Sequence, residues 1–238
     1  MTYAGDRKEE STTAKILFAL TGADHRTLKD GTRHPTGFWA EEFAAPYSAL
    51  TAAGHESVVA TPGGVAPTVD QVSLRPEMAG GDEKAARLTQ VLAGADELRR
   101  PIGLTDVRLA DYDAVYYPGG HLSHDANSGA LLTAALGSGK PLAVVCHAPA
   151  ALLATRDERG ETPFAGYRVT GFTNDEENAV GLGPKAKWLL EPELGKLGVK
   201  FERGADWQPH TVVDRTLYTG QNPASAAPLA QEILKALK

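Results

Sequence analysis

Short apolar runs without alternation punctuate the chain: "KILFAL" (15–20), the end of "HESVVAT" (55–61), "DAVYYPGG" (113–120) and "PLAVVC" (141–146). Runs of this length, bounded by turn residues, read as strands buried on both faces. Between them lie segments of helical composition. "FWAEEFAAPYSALTAAG" (38–54) carries Pro46 inside it, which predicts a kink or break there. "DEKAARLTQVLA" (82–93) has amphipathic spacing, and "NSGALLTAALGSG" (127–139) ends on a glycine stop. "HAPAALLAT" (147–155) opens the next helix, and "NPASAAPLAQEILKALK" (222–238) is a C-terminal one. "GYRVTGF" (166–172), "VKFE" (199–202) and the hairpin-like "TVVDRTLYTG" (211–220) supply further strands. Strands alternating with helices predict an α/β fold with a mostly parallel sheet covered on both faces. One domain spans 14–238, and the polar residues 1–13 read as a flexible tail. The segments 21–37 and 62–77 read as loops, and the first is too long and polar to be a plain connector.

Composition narrows the class without naming a chemistry. The chain has 238 residues, 42% of them hydrophobic and 23% charged, ordinary values for a globular domain. The formal net charge is −6 and no lysine/arginine block stands out, which argues against nucleic acid as a partner. No apolar run approaches the length of a membrane span, and the N-terminus lacks the apolar core of a secretory signal. The single cysteine cannot form an internal disulfide or a multi-cysteine zinc site, and fits a reducing, cytoplasmic setting.

That cysteine, Cys146, sits between a buried strand and a predicted helix start, followed directly by His147. Strand, nucleophile, helix is the layout of a nucleophile elbow, which projects its side chain from the strand's C-terminal end. A helix N-terminus beside it is expected to lower the thiol pKa and favour the thiolate. Other polar residues read more plainly. His121, His124 and Asp125 are too loosely spaced for a metal cluster and read as loop or pocket lining. His25 and His34 lie in the long loop, where they either line a cleft or sit on the surface. His210 reads as structural and Ser225 as a helix-start signal. The "PGG" triplets at 62–64 and 118–120 are too short for a phosphate-binding loop.

"YYPGGH" followed by "AVVCHAPAAL" resembles the ThiJ/PfpI superfamily of class I glutamine amidotransferase-like proteins. "TGFWAEEFAAPY", "GHESVVATPGG", "YRVTGFTNDEE" and "LYTGQNPASAAPLA" resemble further blocks in the family's order, and the last two are most similar to its glyoxalase III-like subgroup. The resemblance implies a flavodoxin-like, doubly wound fold. It implies Cys146 as nucleophile and His147 as its histidine neighbour. Glu42, four before Pro46, matches the acidic residue at the thiol, with Glu41 weaker by spacing. Glu177, five after Phe172, matches the carboxylate orienting the histidine, with Glu176 as alternate. The N–H groups of Gly120 and His147, with Gly119 beside them, match the oxyanion site. An apolar patch such as Phe38 and Trp39 would raise the Glu42 pKa. The resemblance further implies no metal, no cofactor and a homodimer. Ala148, where many relatives carry glycine, is expected to reshape the pocket and set substrate preference.

The implied activity is that of a glutathione-independent glyoxalase. It would convert methylglyoxal or related 2-oxoaldehydes to D-lactate or glycolate through a Cys146 hemithioacetal, as a lyase of the D-lactate dehydratase kind serving methylglyoxal detoxification. The same groups also suit a cysteine peptidase or amidase, or a protein deglycase. A reading of another class is a stress-responsive chaperone or redox-sensing binder, since an accessible low-pKa thiol is also an oxidation sensor.

Overall fold

A computed structural model describes residues 13–120 and 125–238. Most of the expected tail, and His121 and His124, lie outside the described residues. The strands are β1 (Lys15–Ala19), β2 (His25–Thr27), β3 (Arg33–Pro35), β4 (Glu56–Thr61), β5 (Ile102–Gly103), β6 (Ala114–Tyr117), β7 (Leu142–Val145), β8 (Arg168–Val169), β9 (Lys200–Phe201), β10 (Thr211–Asp214) and β11 (Leu217–Gly220). The α-helices are α1 (Ala40–Ala52), α2 (Pro76–Ala79), α3 (Asp82–Gly94), α4 (Ala126–Ser138), α5 (Asn174–Ala179), α6 (Leu190–Lys196) and α7 (Ala226–Ala236).

Seven strands form one sheet in the order β10-β11-β7-β6-β1-β4-β5, parallel except for the β10–β11 hairpin. Its inner five strands, β4-β1-β6-β7-β11, follow the flavodoxin-like order, in which the chain winds one way from β1 and then the other. Strands β1, β6 and β7 are buried almost throughout because both faces are covered. Helices α1 and α7 pack together on one side with α3 outside α1, while α4, α6 and the turn after β7 share the other. The sheet reverses its winding between β1 and β6. Their C-terminal ends diverge there and leave a crevice, where this class of sheet binds ligands.

The structure corrects several expectations. Helix α1 runs unbroken through Pro46, whose missing N–H removes one intrahelical bond without ending the helix. Residues 148–154 form a 3₁₀ turn instead of an α-helix, closed by three-residue bonds such as Ala150 N–H to the His147 carbonyl (3.0 Å). Pro149 withholds one donor there, and the whole segment from Ala148 to Leu152 is buried against the sheet. The expected strands at 166–172 and 199–202 stay outside the main sheet. They shrink to β8 and β9, a separate parallel ribbon of two paired positions. The loop at 21–37 folds back on itself as the antiparallel hairpin β2–β3, and 62–77 holds two short 3₁₀ turns and runs into the short helix α2. Among the described residues, no helix is long and apolar enough to cross a membrane.

Candidate active site at the strand ends

Cys146 follows the last ladder position of β7 and adopts a left-handed backbone, φ 60°. A non-glycine residue there costs on the order of 1–3 kcal/mol and persists only where neighbours over-determine it. Two backbone bonds do so. The Cys146 N–H donates to the Gly220 carbonyl (2.9 Å), and its own carbonyl accepts from Phe172 N–H (2.9 Å). The elbow expected from the sequence is therefore present, with its side chain turned to the crevice.

Four other segments converge on it. Glu42, in the first turn of α1, is fully buried. Its carboxyl lies beside the Cys146 thiol and the Gly119 amide, yet neither oxygen has a hydrogen bond of full geometry. Burial pushes its pKa up to about 8, against the smaller opposing pull of the thiol and that amide. Glu41 turns away and pairs with Lys84. Gly119 and Gly120 end β6. A Cβ on Gly119 would stand 1.8 Å from Glu42 Oε2 and 3.1 Å from Cys146 Cβ, so only glycine lets carboxyl and thiol meet there. Gly120 has φ 150°, and a Cβ on it would meet Thr21 Cγ2 at 2.7 Å.

On the opposite side, Cys146 Sγ lies 3.3 Å from His147 Nδ1, and His147 Nε2 lies 2.8 Å from Glu177 Oε2. The second carboxylate oxygen, Glu177 Oε1, accepts from Arg26 Nη2 at 2.7 Å. Burial would raise the Glu177 pKa, but the bond and charge of His147, then the Arg26 guanidinium, outweigh it and bring the carboxyl down to about 2. The structure thus separates the two adjacent glutamates. Glu176 is buried and structural. It forms a capping box with Thr173 at the start of α5, and its Oε1 accepts from Trp207 N–H (2.8 Å), Gln221 Nε2 (3.1 Å) and Asn222 Nδ2 (2.8 Å).

The thiol itself departs from expectation. Burial pushes the Cys146 pKa well up, and the Glu42 carboxyl adds to it. The 3₁₀ turn after the elbow has too few aligned peptides to reverse this. Burial and the facing carboxyls favour the thiol over the thiolate.

These groups face a cavity of about 400 Å³. Trp39, Phe172 and Trp207 give it apolar walls, with His34 and Asp70 among its polar lining. Phe172 stacks at a tilt on His147 (4.5 Å between centroids) and meets Trp207 edge-on (5.6 Å). Phe38 packs instead against Phe43 inside the core (5.8 Å). Ala148 is also buried in the core and does not line the cavity, so the expectation that it shapes the pocket fails. A second cavity of about 280 Å³ reaches His147 and Glu177 from behind, past Arg26 and Trp188. His25, at its edge, is engaged by Asp24 and Arg33. Asp125 caps α4 by accepting from Ser128 N–H (2.7 Å). The Ser225 hydroxyl accepts from the backbone of His210 (3.1 Å) and is bonded to Asn222, a helix-start role. Among the described residues, no group of three or more His, Cys, Asp or Glu could hold a metal ion.

Arg26, Phe172 and Trp207 were not singled out from the sequence. Arg26 lay in the segment marked by its length and polarity, but nothing in its spacing tied it to Glu177.

Comparison with known proteins places this geometry among relatives. The model of the DJ-1/PfpI family matches residues 35–236. A protein of Pseudomonas aeruginosa named protein/nucleic acid deglycase HchA is 30% identical, over 94% of this chain and 80% of its own length. A Staphylococcus aureus protein of the same name is 29% identical over 94% and 81%. Among solved structures, the Rapid Encystment Protein 24 kDa of Francisella tularensis superimposes with a TM-score of 0.82 at 26% identity, over 95% of this chain and 100% of that one. Glyoxalase III of Candida albicans shares the fold, with a TM-score of 0.79 at 24% identity over 94% and 98%. A match running from the last residue of β3 to the last turn of α7 leaves one conclusion, that this chain belongs to the DJ-1/PfpI family.

Proposed function

We propose that the protein is a glutathione-independent enzyme that converts 2-oxoaldehydes, methylglyoxal among them, to 2-hydroxy acids through a covalent adduct on Cys146. The observation carrying this reading is the unbroken relay from the thiol to His147 to Glu177, set opposite a buried carboxyl with a raised pKa. A thiol that burial keeps protonated needs a base at the moment of attack. His147 Nδ1 takes the thiol proton as sulfur bonds to the aldehyde carbon. Glu177, ionised, holds the ring in place and stabilises the imidazolium.

The developing oxyanion falls near the Gly119–Gly120 backbone and the His147 N–H, and is protonated to the hemithioacetal. Glu42, whose pKa of about 8 leaves it mostly protonated at neutral pH, acts through its ionised fraction and takes a proton from the former aldehyde carbon. It returns a proton to the neighbouring carbon by way of an enediol, leaving a thioester. Water cleaves the thioester, releasing the 2-hydroxy acid and the free thiol. Across the cycle, one aldehyde and one water give one acid, with no external oxidant or reductant.

A second reading is deglycation of proteins or nucleic acids, favoured by the likeness to the 30%-identical relative named protein/nucleic acid deglycase HchA. Trp207, Met78 and Val180 stand partly exposed at the cavity, which suits an adduct presented on a larger molecule. The test is 2-hydroxy acid formation from methylglyoxal without glutathione, beside release of the same acid from a methylglyoxal-treated peptide. Both are expected to vanish in Cys146→Ala, and turnover that survives the substitution refutes the mechanism.

A further inference from the structure

We infer that Arg26 is a positioning residue that keeps His147 available as a base by taking one half of the Glu177 carboxylate. The inference rests on the proposed role of His147 as proton acceptor for the thiol. Glu177 is almost completely buried and divides its two oxygens, Oε2 to His147 at 2.8 Å and Oε1 to Arg26 at 2.7 Å. A buried carboxylate needs a compensating cation. With the guanidinium present, which does not lose its proton at any working pH, the carboxylate is balanced whether or not the imidazole is charged. With a neutral side chain at 26, the imidazolium becomes the compensating cation. A ring drawn into that role is committed to the carboxylate and cannot accept the thiol proton of Cys146.

The other charges around the ring do not replace Arg26. Cys146 and Glu42 face it from the elbow and α1, and Glu176 lies beside Glu177 on α5. Across the first cavity stand His34 and Asp70. Across the second stand Lys187, which is exposed, and His25, which is engaged by Asp24 and Arg33. Arg26 comes from the hairpin inside the segment that its length marks as functional. Arg26 lines both cavities.

Because Cys146 is the only cysteine, its alkylation by iodoacetamide reports the elbow alone and involves no aldehyde. Removing a unit charge one carboxylate away, at an effective dielectric near 20, shifts a titration by about one pH unit. Arg26→Gln and Arg26→Met are therefore expected to move the acid limb of the alkylation profile up by about one pH unit, and Arg26→Lys to leave it near its native position. Limbs that coincide with native in both neutral variants, or a limb shifted as far in Arg26→Lys, overturn the inference. Two neutral variants are compared so that a folding failure in one leaves the other to decide. If the limb shifts as expected while methylglyoxal is not turned over, the placement of Arg26 stands and the proposed reaction falls.

Discussion

Glu42→Gln removes the one buried carboxyl whose protonation the cavity controls, and its effect on stability can be worked from the structure. In the unfolded chain this carboxyl titrates at the ordinary 4.5, whereas in the native protein burial holds it to about 8. Between those values the native state keeps a proton that the unfolded state has released, so stability falls as pH rises. The stability tied to this proton is fully present below pH 4.5 and is lost by pH 8. Three and a half pH units at about 1.4 kcal/mol each come to about 5 kcal/mol across the window. A glutamine does not titrate. Its own fixed cost in the same apolar site is independent of pH. The stability of the native protein minus that of Glu42→Gln is therefore expected to drop by about 1.4 kcal/mol per pH unit from pH 5 to 8. Urea unfolding of both proteins at each unit of pH measures this. Staying at or below pH 8 limits ionisation of the unfolded thiol, whose ordinary value is 9.0. The slope should persist in a Cys146→Ala background, because burial rather than the thiol is the main cause of the shift. Stability curves that run parallel through this range would refute the assignment of a protonated Glu42.

Gly119→Ala is expected to abolish turnover and to destabilise the fold by about 1–3 kcal/mol, since its methyl group must displace either the Glu42 carboxyl or the thiol. Urea unfolding with a methylglyoxal assay checks both effects. Glu176→Gln is expected to cost roughly 2–4 kcal/mol, because an amide cannot accept both from Thr173 and from the three donors at Oε1 without turning an N–H on one of them. Urea unfolding of both proteins decides it.

The sheet was readable in advance because its strands are buried on both faces and so appear as unbroken apolar runs. "KILFAL" and "PLAVVC" needed no partner to be recognised. The ribbon β8–β9 was overestimated because "YRVTGF" and "VKFE" carry strand composition, while pairing depends on neighbours far along the chain. The site divided in the same way. Cys146 and His147 were marked by their place after a strand, and the motif blocks added Glu42 and Glu177. The choice between Glu176 and Glu177 was not readable. Both lie in the same acidic run, and only the orientation of α5 sends one to His147 and the other to Asn222. The direction of the thiol shift was also hidden. It depends on how deeply the elbow is enclosed and on which carboxyl lies opposite, neither of which is a local property.

The left-handed turn at Cys146 is held by a carbonyl at the end of β11 and an amide just past β8, both made later in synthesis than the cysteine itself. A nascent chain that has emerged only as far as the elbow carries an ordinary, relaxed thiol. The posed nucleophile, its histidine relay and its opposing carboxyl come into being together, once the stretch through Gly220 has joined the sheet. Assembly order thus acts as a safeguard, because an incomplete chain exposes a cysteine without the histidine and carboxyl that pose it.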